Sequence, residues 1–498
     1  MKFLKKNYFL IFIILLAAFL RLYRIYDYAE FLGDQGRDVI IVRDFLKHGE
    51  LFFIGPQTSI GNMYLGPFYY YLIAPSLLLS NFNPVGPAIF IALLGVATAF
   101  LIYFVANKWF SKPVAIISSF LYAISPVAIK YSSFSWNPNI MPFFALLFTY
   151  FIFNALYDRK YKSLIFASLS FVFAINSHFL ALILLPLAGL FWLIHLYFLI
   201  KKQDKKLPEF IKYSIWAIVL FIVSLTPLIL FDIKHNGQNT GAFIKFFSER
   251  QTTVNIKPYK SIPLLAPLFN QINTSLIAGK NIIFGITASI ILVLGILFSF
   301  LINKKNKSYK YFIICSLWYL LGLIGLGLYK QHIYDHYFGF LFPVVFILTS
   351  YTIYTLSLIP KLGKLIGLSL IISFAYFSLK ENPFQYSPNK QIGNTQEIVN
   401  FINSKTGNQP FNLALIAKSN TDAAYRYFFY QKNSPIVDLH SKITDQLFVI
   451  CEPWQIDCQP INNPLWEIAA FGWSKIDQEW DFNGIKIFKL VANETGKK

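Results

Sequence analysis

Charge is scarce in this chain: only 14% of its 498 residues are Asp, Glu, Lys or Arg. Acid is scarcer than base, with 24 acidic against 44 basic residues and a net charge of +20. A soluble domain could not cover the apolar surface of a chain that is 56% hydrophobic and carries 53 Phe and 30 Tyr, so the composition points to a polytopic membrane protein. Recognised soluble signatures are missing as well. The sequence has no glycine-rich nucleotide loop, no Walker A motif and no H-E-x-x-H. It has no internal repeat and no low-complexity tract. Cysteine is limited to three residues. Cys315 lies in an apolar run as a packing residue, and no metal-ligand spacing surrounds Cys451 and Cys458.

The basic excess has a membrane explanation. In a soluble protein it would suggest nucleic acid, but here the lysines cluster between apolar runs, as cytoplasmic loops do. The first run, after Lys2, Lys5 and Lys6, lacks a small-x-small cleavage site and is followed by Arg21 and Arg24. It reads as an uncleaved transmembrane helix whose arginines snorkel to the far interface. A span needs about 17–25 residues. Eleven runs qualify, near 7–26, 85–106, 113–130, 138–157, 162–178, 180–200, 211–233, 281–303, 310–329, 336–356 and 363–380. The segment Leu65 to Ser80 is short and holds Pro67 and Pro75. If it does not cross and the N-terminus is cytoplasmic, KWFSK, DRKYK, KKQDKK, KKNKSYK and KLGK all fall on the cytoplasmic side. That segment is therefore interfacial or re-entrant. The expected localisation is the plasma membrane, multi-pass, with the C-terminus outside.

Three parts then face outward: a loop at 27–84, a loop at 234–280 and a polar tail at 381–498. The membrane domain is expected over 1–380. In the tail, NTQEIVNFINSKTG and TDAAYRYFFYQKN read as helices. FNLALIA, PIVDL, QLFVICEP and GIKIFKL read as strands, which together predict a small α/β domain. On an oxidising face, Cys451 and Cys458 either close a disulfide or stay as two thiols.

Candidate chemistry collects in the outer segments. In FLGDQGRDVIIVRDF, helical geometry places Arg37 and Asp38 beside Asp34, with Arg43 opposite. This is a carboxylate–guanidinium cluster at the first turn of a helix lying along the membrane, where the helix dipole also favours anions. The bland alternative is a solvated interfacial helix with a local salt bridge. Other outward polar residues are Trp136, Asn137, His178, Asp232, Lys234, His235 and Arg250, together with His332, Asp335, His336 and Tyr337 in QHIYDHYFGF.

Over residues 7–360 these features resemble the membrane glycosyltransferases of the GT-C fold, in particular the protein O-mannosyltransferase and aminoarabinose-transferase group, glycosyltransferase family 39. The residues that carry the resemblance are the Asp-led outer loop, LGPFYYYL, SPVAIKYSS and HYFGFLFP. It implies a GT-C-like membrane protein with about eleven transmembrane helices plus interfacial helices and the small C-terminal α/β domain. It also implies an inverting transferase that takes a sugar from a polyprenyl-phosphate donor to a hydroxyl of a lipid, glycan or protein acceptor, with no nucleic acid involved. Asp34 would be the general base. Arg37 and His336 would hold the phosphate, with Lys330 as a further candidate beside them, and Asp38 would orient Arg37. Tyr337 and Tyr64 complete the expected donor-binding set. Three positions depart from the family pattern. Gln35 replaces a second acid, which leaves divalent metal an open question, Gly66 replaces a basic residue, and His336 replaces an arginine. A transporter or lipid flippase is the competing class, but the spans are almost free of acidic residues and no related halves are visible. A non-catalytic scaffold would leave the cluster at Asp34 unexplained.

Overall fold

The computed structural model describes residues 2–59, 61–249, 253–302, 306–452 and 458–493. The chain divides into two compact units. One comprises Met1–Tyr23, Leu51–Pro75 and Pro87–Ser387. The other comprises Arg24–Glu50, Ser76–Gly86 and Pro388–Lys498.

The first unit is helical. Among the described residues, eight helices are long and apolar enough to cross a bilayer: Val85–Trp109, Asn137–Tyr157, Phe179–Lys201, Leu207–Ser224, Ile282–Ile302, Tyr309–Gly327, Asp335–Ser357 and Gly363–Gln385. The other three expected spans are shorter, at Asn7–Leu22, Lys112–Ile124 and Ser163–Ser177, and local chemistry accounts for two of these. The helix Lys112–Ile124 stops at extended Ser125, and Pro126 starts a new short helix, Pro126–Lys130. Proline has no N–H for the carbonyl four residues back and clashes with it. The helix Ser163–Ser177 stops at His178, which is extended at φ −167°. The expected span at 211–233 breaks in the same way, into Leu207–Ser224 and Thr226–Lys234, with Pro227 in the first turn of the second piece. The segment 65–80 forms a helix of only 12 residues, Phe68–Leu79. At 1.5 Å per residue it reaches about 18 Å, well short of a ~30 Å hydrocarbon core.

Arg21 does not snorkel. Its side chain is 1% exposed. Its guanidinium donates to the carbonyls of Ala123 at 3.0 Å and Tyr122 at 3.3 Å, and to Ala17 of its own helix at 3.3 Å. Tyr122 is the residue whose carbonyl loses its partner at Pro126. The arginine thus caps the broken helix from inside the fold, which is why a full charge is retained there.

The second unit is α/β. Its sheet has the order β1-β2-β4-β3, with β1 Asn412–Ile416, β2 Gln446–Cys451, β3 Ser474–Phe482 and β4 Ile485–Ala492. Strands β1 and β2 are parallel, and the other pairs are antiparallel. Leu447, Val449, Phe488 and Leu490 pack with Ile468 and Phe471 of a short helix to form its core. The expected strand PIVDL makes a single bridge, Ile436 with Phe411. The strand β3 was not anticipated because most of its side chains are exposed and four of its nine residues are charged. Its register is set by the Asn483-Gly484 turn, in which both residues have positive φ, the Asn-Gly hairpin signature. Cys451 and Cys458 form a disulfide.

The helix Gly33–His48 belongs to this second unit, whereas the sequence reading grouped the whole loop 27–84 with the membrane domain. It packs on the helix Ala423–Gln431, and a Cβ at Gly36 would run into the backbone of Ala423 and Ala424. The amide of Gly33 donates to Asn420 Oδ1 at 2.8 Å, and Asn420 in turn donates to Glu452 at 2.6 Å.

Candidate functional site

Within the second unit, the first turn of Gly33–His48 brings together the three charges expected there. Arg37 Nη1 donates to Asp34 Oδ1 at 2.9 Å. Its Nη2 and Nε both reach Asp38 Oδ1, at 2.8 and 3.0 Å. The two carboxylates are not equivalent: Asp38 is 1% exposed, whereas Asp34 is 50% exposed. The buried acid fixes the guanidinium, and the open acid can be reached from outside. Such charge-assisted bonds are short and directional. Gln35, which stands where a second acid was expected, has another job. Its Oε1 accepts the Leu32 amide at 2.9 Å, satisfying a donor at the helix start, and the side chain is buried.

Arg43 lies further along the same helix. It pairs with Asp44 at 3.0 Å and sits over the Tyr430 ring, 5.5 Å from its centroid. Burial raises the Asp44 carboxyl above its ordinary range, against the opposing pull of Arg43.

Within the first unit, a second group forms where three helix ends meet. These are the start of Asn137–Tyr157, the end of Ser163–Ser177 and the start of Asp335–Ser357. All three ends lie opposite the lysine-rich turns in the chain's alternation. The imidazole of His336 lies 4.5 Å from the Trp136 ring, 4.5 Å from Tyr337 and 5.7 Å from Tyr334, stacked nearly parallel on the last. Tyr131 and His178 are 6.0 and 6.4 Å away. The ring of His178 accepts the Leu180 amide at its Nδ1, 3.1 Å away, which starts the next helix. Burial pulls this imidazole down to about 4. Asp335 turns elsewhere, accepting from Ser275 at 3.0 Å and facing Lys280 at 3.8 Å.

Several other sequence candidates make structural contacts. Asn137 donates to the Ser177 carbonyl at 2.7 Å. Asp232 accepts the Asn239 amide at 2.7 Å and also bonds Thr240, so it caps the helix Gln238–Ser248. His235 stacks on Phe231. The Tyr64 amide donates to Asn239 at 2.6 Å, and its ring meets Phe231 edge-on. Arg250 lies outside the described residues. Gly66, where a basic residue was expected, packs against Asn176, and even a Cβ there would collide with the Asn176 amide group. Sequence reasoning did not pick out Lys130, Tyr131 or Tyr334. The first two lie inside the SPVAIKYSS segment it had already singled out.

Among the described residues, no group of three or more His, Cys, Asp or Glu side chains is placed to hold a metal ion. Asp34 and Asp38 are both engaged by Arg37. This donor set does not fit a divalent cation.

No curated protein matches the sequence. The profile of the dolichyl-phosphate-mannose-protein mannosyltransferase family matches residues 65–229. Among solved structures, ArnT from Cupriavidus metallidurans bound to undecaprenyl phosphate superposes with a TM-score of 0.61, covering 97% of this chain and 98% of that one at 10% identity. The archaeal oligosaccharyltransferase AglB from Archaeoglobus fulgidus, in complex with an inhibitory peptide and a dolichol-phosphate, gives 0.53 at 12% identity, covering 99% of this chain and 75% of that one. Both are GT-C proteins.

The chain has the GT-C fold.

The matched family stretch contains Gly66, Trp136 and His178, and it leaves Asp34, Arg37, Asp38 and His336 outside it. Sequence similarity thus falls on one part of the GT-C frame, residues 65–229, and not on the charged cluster.

Proposed function

We propose that this protein is a membrane glycosyltransferase that moves a sugar from a polyprenyl-phosphate donor to an acceptor hydroxyl, with inversion. The observation that carries this is the Asp34–Arg37–Asp38 arrangement within a GT-C fold. Asp34 is open to an acceptor and takes the proton of its hydroxyl. The freed oxygen attacks the anomeric carbon from the face opposite the phosphate. The bond from that carbon to the phosphate oxygen breaks, and its electron pair leaves with the lipid phosphate. Arg37 stabilises the charge that develops on the departing phosphate. Asp38, buried beneath it, keeps the guanidinium in place, so little reorganisation is needed during the reaction. Arg37 also explains how an exposed acid is held ready: Nη1 holds Asp34 until a phosphate competes for the same donor.

His336, Tyr337 and Tyr64 are assigned to donor binding. ArnT bound to undecaprenyl phosphate and AglB in complex with a dolichol-phosphate support a lipid phosphate as the leaving group. The acceptor belongs to one of three classes: lipid, glycan or protein. The reading places the protein in the plasma membrane, with a cytoplasmic N-terminus and the second unit outside, because the lysine-rich turns all fall on one side of the spans.

The test is Asp34→Asn in purified full-length protein, assayed with a polyprenyl-phosphate-linked sugar. Transfer should fall by about 10²–10⁴-fold, while binding of the polyprenyl phosphate itself is kept. Full transfer by a normally folded Asp34→Asn protein would show that Asp34 is not the base.

A further inference from the structure

The ring cluster of the first unit has a composition that bears on which sugar is carried. Five rings converge within one unit: Tyr131, Trp136, Tyr334, His336 and Tyr337. His336 is the hub, with the other four rings of this group at 4.5, 4.5, 5.7 and 6.0 Å. A cluster built only to fill a core would be sealed. Here Tyr131, Trp136, His336 and Tyr337 all keep part of their surface open, and Tyr334 is 53% exposed. The backbone beneath is well anchored. Asn137 is tied to Ser177, Asn139 donates to the Phe134 carbonyl at 2.9 Å, and Phe134 stacks under Trp136. Rigid, half-open ring faces suit the apolar C–H faces of a pyranose, which bury surface without needing charge.

The surrounding charge is positive. Lys130 is exposed and lies over the Tyr131 ring, 5.7 Å from its centroid, and that ring is 6.0 Å from the His336 imidazole. Asp335, the neighbouring carboxylate, is faced by Lys280. A cationic sugar would gain about 0.5–2 kcal/mol from a ring face. Lys130 already takes that role at Tyr131, and its charge repels a second cation. A neutral or carboxylate-bearing sugar meets no such opposition.

We propose that these rings form a stacking subsite for the transferred sugar and that Lys130 makes it select a neutral or acidic glycosyl unit over an amino sugar. This rests on the glycosyltransferase reading above and narrows its substrate class. Trp136 and Lys130 are specificity residues here, not catalytic ones.

The experiment uses full-length protein in nanodiscs and four probes: a short-chain prenyl phosphate, the same phosphate carrying a hexose, the same phosphate carrying a 4-amino-pentose, and a free methyl hexoside. The hexosyl compound should bind about tenfold more tightly than the bare phosphate, and Trp136→Ala should erase that gain while leaving the bare phosphate unchanged. Trp136→Phe should keep affinity within about threefold, since it retains a ring. Lys130→Glu should narrow or reverse the preference for hexosyl over amino-pentosyl. An unchanged hexosyl affinity in Trp136→Ala, or tighter amino-pentosyl binding by the unaltered protein, would overturn the proposal. Should the bare phosphate not bind at all, the methyl hexoside separates the two ideas. Binding that depends on Trp136 keeps the sugar subsite and removes the lipid-phosphate reading. No binding removes both.

Discussion

Arg21 offers a sharp test of how this membrane unit is held together. The helix Lys112–Ile124 ends with unpaired carbonyls because Pro126 has no N–H to give. Arg21 meets two of them, at Ala123 and Tyr122, across about a hundred residues of sequence. A hydrogen bond from a charged donor contributes about 1.5–3 kcal/mol net. Two such bonds give about 3–6 kcal/mol; the bond to Ala17 within the same helix is left out as local. Arg21→Met keeps the length and apolar bulk of the side chain and removes only the donors. It should lower stability by that amount in an SDS titration of the purified protein in mixed micelles. The explanation carries a second requirement. Pro126→Ala restores an N–H at position 126 and gives the Tyr122 carbonyl a local partner. In the Pro126→Ala background, Arg21→Met should therefore cost less, by about 1–3 kcal/mol. A neutral Arg21→Met would mean that the guanidinium's desolvation cancels its bonds. Strict additivity in the double variant would mean that the broken helix is not what Arg21 serves.

Three further outcomes follow from the geometry. Gly36→Ala pushes a methyl group into the Ala423–Ala424 backbone and should destabilise the second unit by about 1–3 kcal/mol, seen as faster limited proteolysis near the helix Ala423–Gln431; unchanged proteolysis would mean that the two helices do not pack this closely. His178 is held near pKa 4, against 6.5 when free. Its neutral form is favoured in the folded state, so its contribution is full above pH 6.5 and is lost progressively as pH falls toward 4, by about 3 kcal/mol in all. Thermal melts should show that slope, and His178→Asn should flatten it. The disulfide Cys451–Cys458 closes a short loop and should contribute about 2–3 kcal/mol. Cys458→Ser and treatment with reductant should lower the melting temperature of the second unit equally.

Periodicity alone located the long spans and most elements of the tail, because burial in lipid or in a sheet core writes a repeating apolar pattern. It overcounted full-length spans where Pro126 and His178 stop helices, since an apolar run does not reveal which backbone carbonyls lose their partners. Strand β3 was invisible for the opposite reason: its exposed face carries Lys475, Asp477 and Glu479, and its pairing follows from the Asn483-Gly484 turn. The Asp34, Arg37 and Asp38 grouping was legible because all three lie within one and a half turns of a helix. Which acid is buried was not, since burial depends on a helix packed from residues 423–431.

By itself, then, the sequence determined the membrane class, the clustering of lysines between spans, the charged first turn after residue 33 and the alternating tail. These are set by local period and composition. Tertiary structure decided that Arg21 points inward, that Gln35 caps a helix, that Gly66 has no room for a side chain and that Gly33–His48 packs with the C-terminal unit. It also gathered Tyr131, Trp136, Tyr334 and Tyr337, drawn from segments some two hundred residues apart, around the His336 imidazole. Long-range packing made those choices, because each depends on a neighbour that no local pattern names.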